Sequence, residues 1–203
     1  VTEYRAIRAS FDAQTIVVYQ AYSAAIGEPA LTHQRFVPPF SLQRMTWIKP
    51  SFLWMMERSN WGQKAGQEVV LAVRIKRSGW EEALAMGVLS HPDKTLYASA
   101  EAWQADSHAA KVRIQWDPER SLRGGKLEYR SIQVGLGRQV IRQYAEEWVV
   151  GIEDMRPLVK RIHGLRMQGD HARAERLLPD ERPYPLPSAL ARKIGCTTEG
   201  SNA

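Results

Sequence analysis

Period-two alternation is the feature that most restricts how this chain can fold. In "VVLAVRIK" Val69, Leu71, Val73 and Ile75 share one side. In "KVRIQWD" Val112, Ile114 and Trp116 oppose Arg113, Gln115 and Asp117, and in "YRSIQVGL" Ile132, Val134 and Leu136 oppose Ser131, Gln133 and Gly135. A repeat of two sends alternate side chains to opposite faces of a strand, so each segment predicts a strand with a core face. "TIVVYQAY" (15–22) is apolar on both faces, as a strand inside a sheet is, and "WVVGIE" (148–153) adds a further strand.

Helical composition fills the intervals. It marks 23–34, interrupted by Gly27 and Pro29; a short helix after Pro50, with Ser51 as N-cap and Gly62 as stop; 78–89; the stretch from Ala100 to His108; and "GRQVIRQYAEE". Asp154 can cap a helix over about 155–168, with Pro157 in its first turn and Leu158, Ile162 and Leu165 on one face. A second short helix ends near Leu178. "RFVPPF" and "PERSLRGGK" read as loops and "PDERPYPLP" (179–187) as extended chain. The pattern predicts an α+β fold: a single mixed domain over 1–187, with a central, largely antiparallel sheet of about five or six strands flanked by helices and a helical C-terminal part. The stretch 188–203 reads as a disordered tail.

With 203 residues there is enough chain for one sizeable core. Lys and Arg number 28 against 22 Asp and Glu, a net charge of +6. That excess suits a nucleotide or nucleic-acid partner, and equally a plain basic surface. No apolar run is long enough to cross a membrane, and the first residues lack the apolar core of a secretory signal, so no membrane partner is expected. The single cysteine, Cys196, can form no internal disulfide, which fits a cytoplasmic protein. His33, His91, His108, His163 and His171 show no pair at ligand spacing, so no metal site is expected. "GLG" at 135–137 lacks a third glycine and reads as a turn.

The stretch "RMTWIKPSFLWMMERSNWG" (44–62) concentrates aromatic and basic residues. "FLWMM" has no polar face and reads as core. Trp47 and Lys49 alternate and project together, and with Arg44 and Arg58 they make a stacking and phosphate-binding wall for a flat anionic ligand. If the two strands at 111–117 and 129–136 pair, Gln115 and Gln133 share one polar sheet surface, which is either the floor of a pocket or a solvated face. The expected ligand anchors are therefore Arg5, Arg8, Tyr19, Gln20, Arg44, Trp47, Lys49, Arg58, Gln115 and Gln133, with Glu147 and Glu153 as candidate catalytic acids.

The segments "IRASFDAQTIVVYQAYS", "QRFVPPFSLQRMTWIKPSFLWMMERSNWG", "VRIQWDPER", "YRSIQVGL" and "PDERPYPLP" together resemble the domain of unknown function 4291 family, over about residues 4–187. That resemblance implies one domain and carries no catalytic roles with it. A weaker similarity is to ADP-ribosyltransferases, through Tyr19 and Gln20 on an early strand and "WVVGIED" as a closing strand, with Gln20 where those enzymes have His or Arg. It implies NAD as cofactor, with nicotinamide stacked on Tyr19, an arginine on the pyrophosphate, and Glu147 or Glu153 orienting the acceptor beside an oxocarbenium-like ribose.

The expected function is thus an enzyme acting on a nucleotide or nucleic-acid substrate, in one form an NAD-using transferase. Two alternatives stand beside it. One is a non-catalytic nucleic-acid-binding module using Arg156, Lys160, Arg161, His163, Arg166, His171, Arg173 and Arg176 of the C-terminal helices. The other is a protein-interaction domain whose Trp/Met surface meets a partner.

Overall fold

The strand with the longest apolar run lies where both its faces are covered. In the computed structural model, which describes residues 3–197, β4 (Val69–Lys76) is the middle strand of a three-stranded antiparallel sheet, between β2 (Thr15–Tyr22) and β8 (Val149–Asp154). A second sheet has the order β3 (Thr46–Ile48), β7 (Lys126–Leu136), β6 (Val112–Arg120), β5 (Gly87–Leu89), antiparallel except where β5 runs parallel to β6.

The alternating apolar positions of both sheets meet in one core. Ile16, Val18, Leu71, Val73, Ile75 and Ile152 from the first sheet cluster with Ile48, Val112, Ile114, Ile132, Val134 and Leu136 from the second. Burying each such side chain fully is worth roughly 1.5–3 kcal/mol relative to leaving it in water. The opposite face of the first sheet, with Val17, Tyr19, Val70 and Ala72, is covered by α2 (Phe52–Ser59) and α6 (Arg156–Met167), which add Phe52, Met55, Met56, Val159 and Ile162. A backbone bond also links the two layers at one corner, where the Tyr19 N–H donates to the Lys49 carbonyl at 2.6 Å.

The α+β class and the mixed, largely antiparallel pairing stand as expected. The strands divide between two stacked sheets instead of forming one central sheet, because β2 and β4 are apolar on both faces over most of their length and need a layer on each side. Helix α3 (Arg77–Ala85) stops before the expected end at 89, and Gly87–Leu89 becomes β5. The expected helix "GRQVIRQYAEE" is reduced to α5 (Ile141–Gln143) and a π-helical turn over Tyr144–Trp148. Strand β6 runs on through Pro118, although proline lacks an N–H. By then β5 has ended, so Pro118 lies on a sheet edge beside a register shift, where a missing donor costs no ladder bond.

The expected disordered tail also differs from the structure over its described part. Ser188–Lys193 form α8, with Ala191 and Ile194 buried, and the Trp116 indole donates to the Ile194 carbonyl at 2.8 Å. "PDERPYPLP" returns the chain to β1 (Arg8–Ala9), which pairs with β9 (Arg182–Pro183). Residues 198–203 lie outside the described residues. No helix among the described residues is long and apolar enough to cross a membrane.

Candidate functional site

Pairing of β6 with β7 in the register Gln115↔Gln133 and Asp117↔Ser131 turns their polar alternation into one surface. Apolar side chains point into the core, so Arg113, Gln115, Asp117, Ser131 and Gln133 are left on the other face. Strand β3 adds to it through the pair Trp47↔Gly135. Gly135 is needed there: a Cβ would sit 3.0 Å from the Trp47 ring and 2.9 Å from Met45 Sδ. Asp117 organises the centre of this face, accepting from Gln115 Nε2 at 2.9 Å and from Gln133 Nε2 at 2.6 Å.

Lys49 follows β3 on the same alternation as Trp47. The residue is 6 % exposed, and its ammonium, which has no hydrogen bond or ion pair with the described residues, keeps a small contact with solvent. Burial, and then the nearby Arg58 guanidinium, pull its pKa down to about 8, while Asp117 acts in the opposite direction. A largely desolvated ammonium with only solvent beside it is a ready partner for an anion brought by a ligand.

Continuing the β6 alternation past Asp117 reaches Glu119. It is 7 % exposed and lines a cavity of about 210 Å³. Glu181, from the chain leading into β9, lines the same cavity and accepts from the Phe52 N–H at 2.7 Å at the start of α2. Arg8, Ser51, Arg120 and Tyr129 complete the polar lining, with Phe52 and Leu178 among the apolar walls. Burial pushes both carboxyls above the ordinary glutamate range, and the charge of Glu119 raises Glu181 further. The hydroxyls of Ser51 and Ser131 and the charge of Arg8 pull Glu119 the other way. Arg8 stacks over the Tyr129 ring, 4.6 Å from its centroid.

Several expected anchors therefore come together. Trp47, Lys49, Gln115 and Gln133 share the polar face, Arg58 is close enough to Lys49 to shift it, and Arg8 reaches the cavity. Others do not join them. Gln20 is 3 % exposed and points into the core, where its amide donates to Tyr22 and Thr46 and accepts from the Tyr144 hydroxyl. Tyr19, 2 % exposed, points to the opposite face and packs edge-on against Phe52, 5.6 Å between centroids. Neither can grip a nicotinamide ring unless a packed layer opens, so the NAD arrangement expected around them is not the one the fold provides. Arg44, Glu147 and Glu153 are exposed. Arg5 pairs with Asp93 at 2.7 Å in a separate open cleft of about 1200 Å³ beside β5 and α8. That cleft is larger, and it too holds a buried nitrogen without a partner among the described residues, Arg5 Nε, but none of the other expected anchors lines it.

The basic helices are partly occupied within the chain. Arg156 bonds to Asp154 and Glu28, Arg173 pairs with Asp170, and Arg166 and His163 lie against Trp61. Lys160, Arg161 and Arg176 remain exposed. Of the tryptophans in 44–62, Trp54 is buried in its own chain under Arg120, and Trp47 and Trp61 are half-buried. Among the described residues, no group of three or more His, Cys, Asp or Glu side chains gathers as a metal cluster would.

Sequence reasoning missed Glu119 and Glu181. The signal for Glu119 was the β6 alternation, which a turn reading of Pro118 cut short. For Glu181 no local signal existed, since only the return of the chain to β1 brings it to α2.

The sequence profile described as Domain of unknown function (DUF4291) matches residues 6–184, and the chain belongs to that family. No curated protein matches it.

Proposed function

We propose that the protein is an enzyme acting on a nucleotide, or on a nucleotide unit of a nucleic acid, along the polar face of β3, β7 and β6. The observation that carries this reading is Lys49, a largely buried lysine with no ion-pair partner among the described residues, in line with Trp47 and beside Asp117. Lys49 and Arg58 supply positive charge for phosphate, and half-buried Trp47 supplies an aromatic plane. Burial shifts Lys49 toward neutrality, down to about 8, which lets it exchange a proton near working pH.

Thermal shift with millimolar nucleoside mono-, di- and triphosphates, NAD and short oligonucleotides tests the reading. A ligand at a hundred times its Kd raises stability by about 2.7 kcal/mol, and Lys49→Met is expected to remove most of that gain. If no member of the panel stabilises the wild type, the reading fails. Oligonucleotide binding that survives Lys49→Met but falls steeply with salt favours the exposed Lys160, Arg161 and Arg176 of the C-terminal helices instead.

A further inference from the structure

Glu119 and Glu181 are the pair of groups that the Lys49 reading leaves without a task. They reach one cavity from distant parts of the chain, Glu119 from β6 and Glu181 from the segment before β9. Glu119 accepts the N–H of its neighbour Arg120 at 2.8 Å and has the Ser51 and Ser131 hydroxyls beside it, and Glu181 accepts the N–H of Phe52 at 2.7 Å. Each carboxylate has capacity for further donors. The Nε of Arg120, on the same wall, is buried with no partner among the described residues. Such a lining asks for a ligand that brings hydroxyl donors and acceptors of its own.

Size narrows the choice. About 210 Å³ is smaller than the ~300–1,000 Å³ of ordinary ligand pockets, so it holds a small unit of a ligand and not a whole nucleotide. Its position narrows it again. Glu119 lies two residues beyond Asp117 on β6, and Ser51 of the cavity wall lies two residues beyond Lys49, so the cavity adjoins the Lys49 face. Ribose meets both conditions, because its adjacent hydroxyls both donate and accept and so pair with a carboxyl group in either protonation state. Phe52 and Leu178 offer apolar walls to the ring carbons.

We propose that this cavity receives the ribose of a ribonucleotide, with Glu119 and Glu181 accepting its 2′- and 3′-hydroxyls while its phosphate lies toward Lys49. The assignment rests on the nucleotide reading above and narrows it to ligands with a free 2′,3′-diol.

Calorimetric titration with ATP and with 2′,3′-dideoxy-ATP tests it on the wild type and on Glu119→Gln, Glu181→Gln and Lys49→Met. Both glutamine variants keep an oxygen acceptor, so Glu181→Gln still receives the Phe52 N–H, and circular dichroism checks their folding. The expected result is a roughly ten- to hundredfold preference for ATP in the wild type, reduced to near parity in either glutamine variant. Equal affinity for the two nucleotides, still dependent on Lys49, overturns the ribose assignment and leaves the nucleotide reading standing. No binding of either nucleotide, or binding indifferent to Lys49→Met, overturns both. A short RNA with a 3′-terminal diol, set against the same RNA ending in a 3′-phosphate, separates the two sources of the diol. Preference for the diol end places the ribose of an RNA terminus in the cavity, and preference for ATP alone places a free nucleotide there.

Discussion

At the scale of single residues, the fold treats its buried polar groups in two ways. Gln20 is satisfied on both sides of its amide by Tyr22, Thr46 and Tyr144, and belongs to the core. Lys49 is left unsatisfied, and this makes it titratable in a useful range. Free Lys49 loses its proton near pH 8, whereas an anion bound against it would raise its pKa. Affinity for a phosphate-bearing ligand should therefore hold below pH 8 and fall as pH rises beyond it, and Lys49→Met should flatten that profile in titrations from pH 7 to 10. The effect on stability has the opposite sense. Lysine in the unfolded chain titrates near 10.5, so below about 8 the folded state carries the full penalty of a buried charge. Between about 8 and 10.5 that penalty is relieved, and the Lys49 contribution makes the ligand-free protein more stable as pH rises. The alternation of Trp47 with Lys49 could be read from the chain. Which of Lys49 and Gln20 would find partners could not, because those partners lie on other strands.

At the scale of elements, helix α2 shows how far local rules reach. Ser51 caps it as expected, accepting from the Trp54 N–H at 3.1 Å, and Phe52, Trp54, Met55 and Met56 are buried. A helix without a polar face has to be covered on several sides, and here the first sheet, α6 and the Arg120 side chain share that work. Two glycines separate packing from propensity. Gly79 in α3 faces the Trp148 ring so closely that a Cβ would lie 2.3–2.6 Å from its atoms, whereas Gly164 in α6 has nothing within 4 Å. Gly79→Ala should cost about 1–3 kcal/mol by overpacking. Gly164→Ala should add about 0.4–1 kcal/mol, because it restricts the unfolded chain and meets no neighbour. Urea unfolding with unchanged slope checks both, and equal signs would contradict the packing of α3 on the π-helical turn.

At the scale of the whole molecule, the C-terminal segment closes the fold. It passes β9 along β1 and ends in α8, whose following residue Ile194 is 1 % exposed and holds the Trp116 indole through its carbonyl. The shortness of the segment hid this role, since Leu190, Ala191 and Ile194 are too few to show a period and only distant partners bury them. Ile194→Ala should cost roughly 2–5 kcal/mol as a core truncation, against about 0.5 kcal/mol or less for the exposed Arg192→Ala. A thermal melt showing equal shifts for the two would mean that α8 contributes nothing to the core.

The chain by itself determined the long strands β2, β4, β6, β7 and β8, the α+β class and the polar face of β6 and β7, because alternation and capping act between near neighbours. It also supplied its own family signature. The tertiary structure decided the division into two stacked sheets, the burial of Tyr19 and Gln20, the docking of α8, and the meeting of Glu119 with Glu181. Those outcomes depend on contacts between residues far apart in sequence. Glu119 and Glu181 become a pair only because one hairpin passes its expected proline stop and the chain end returns to the first strand.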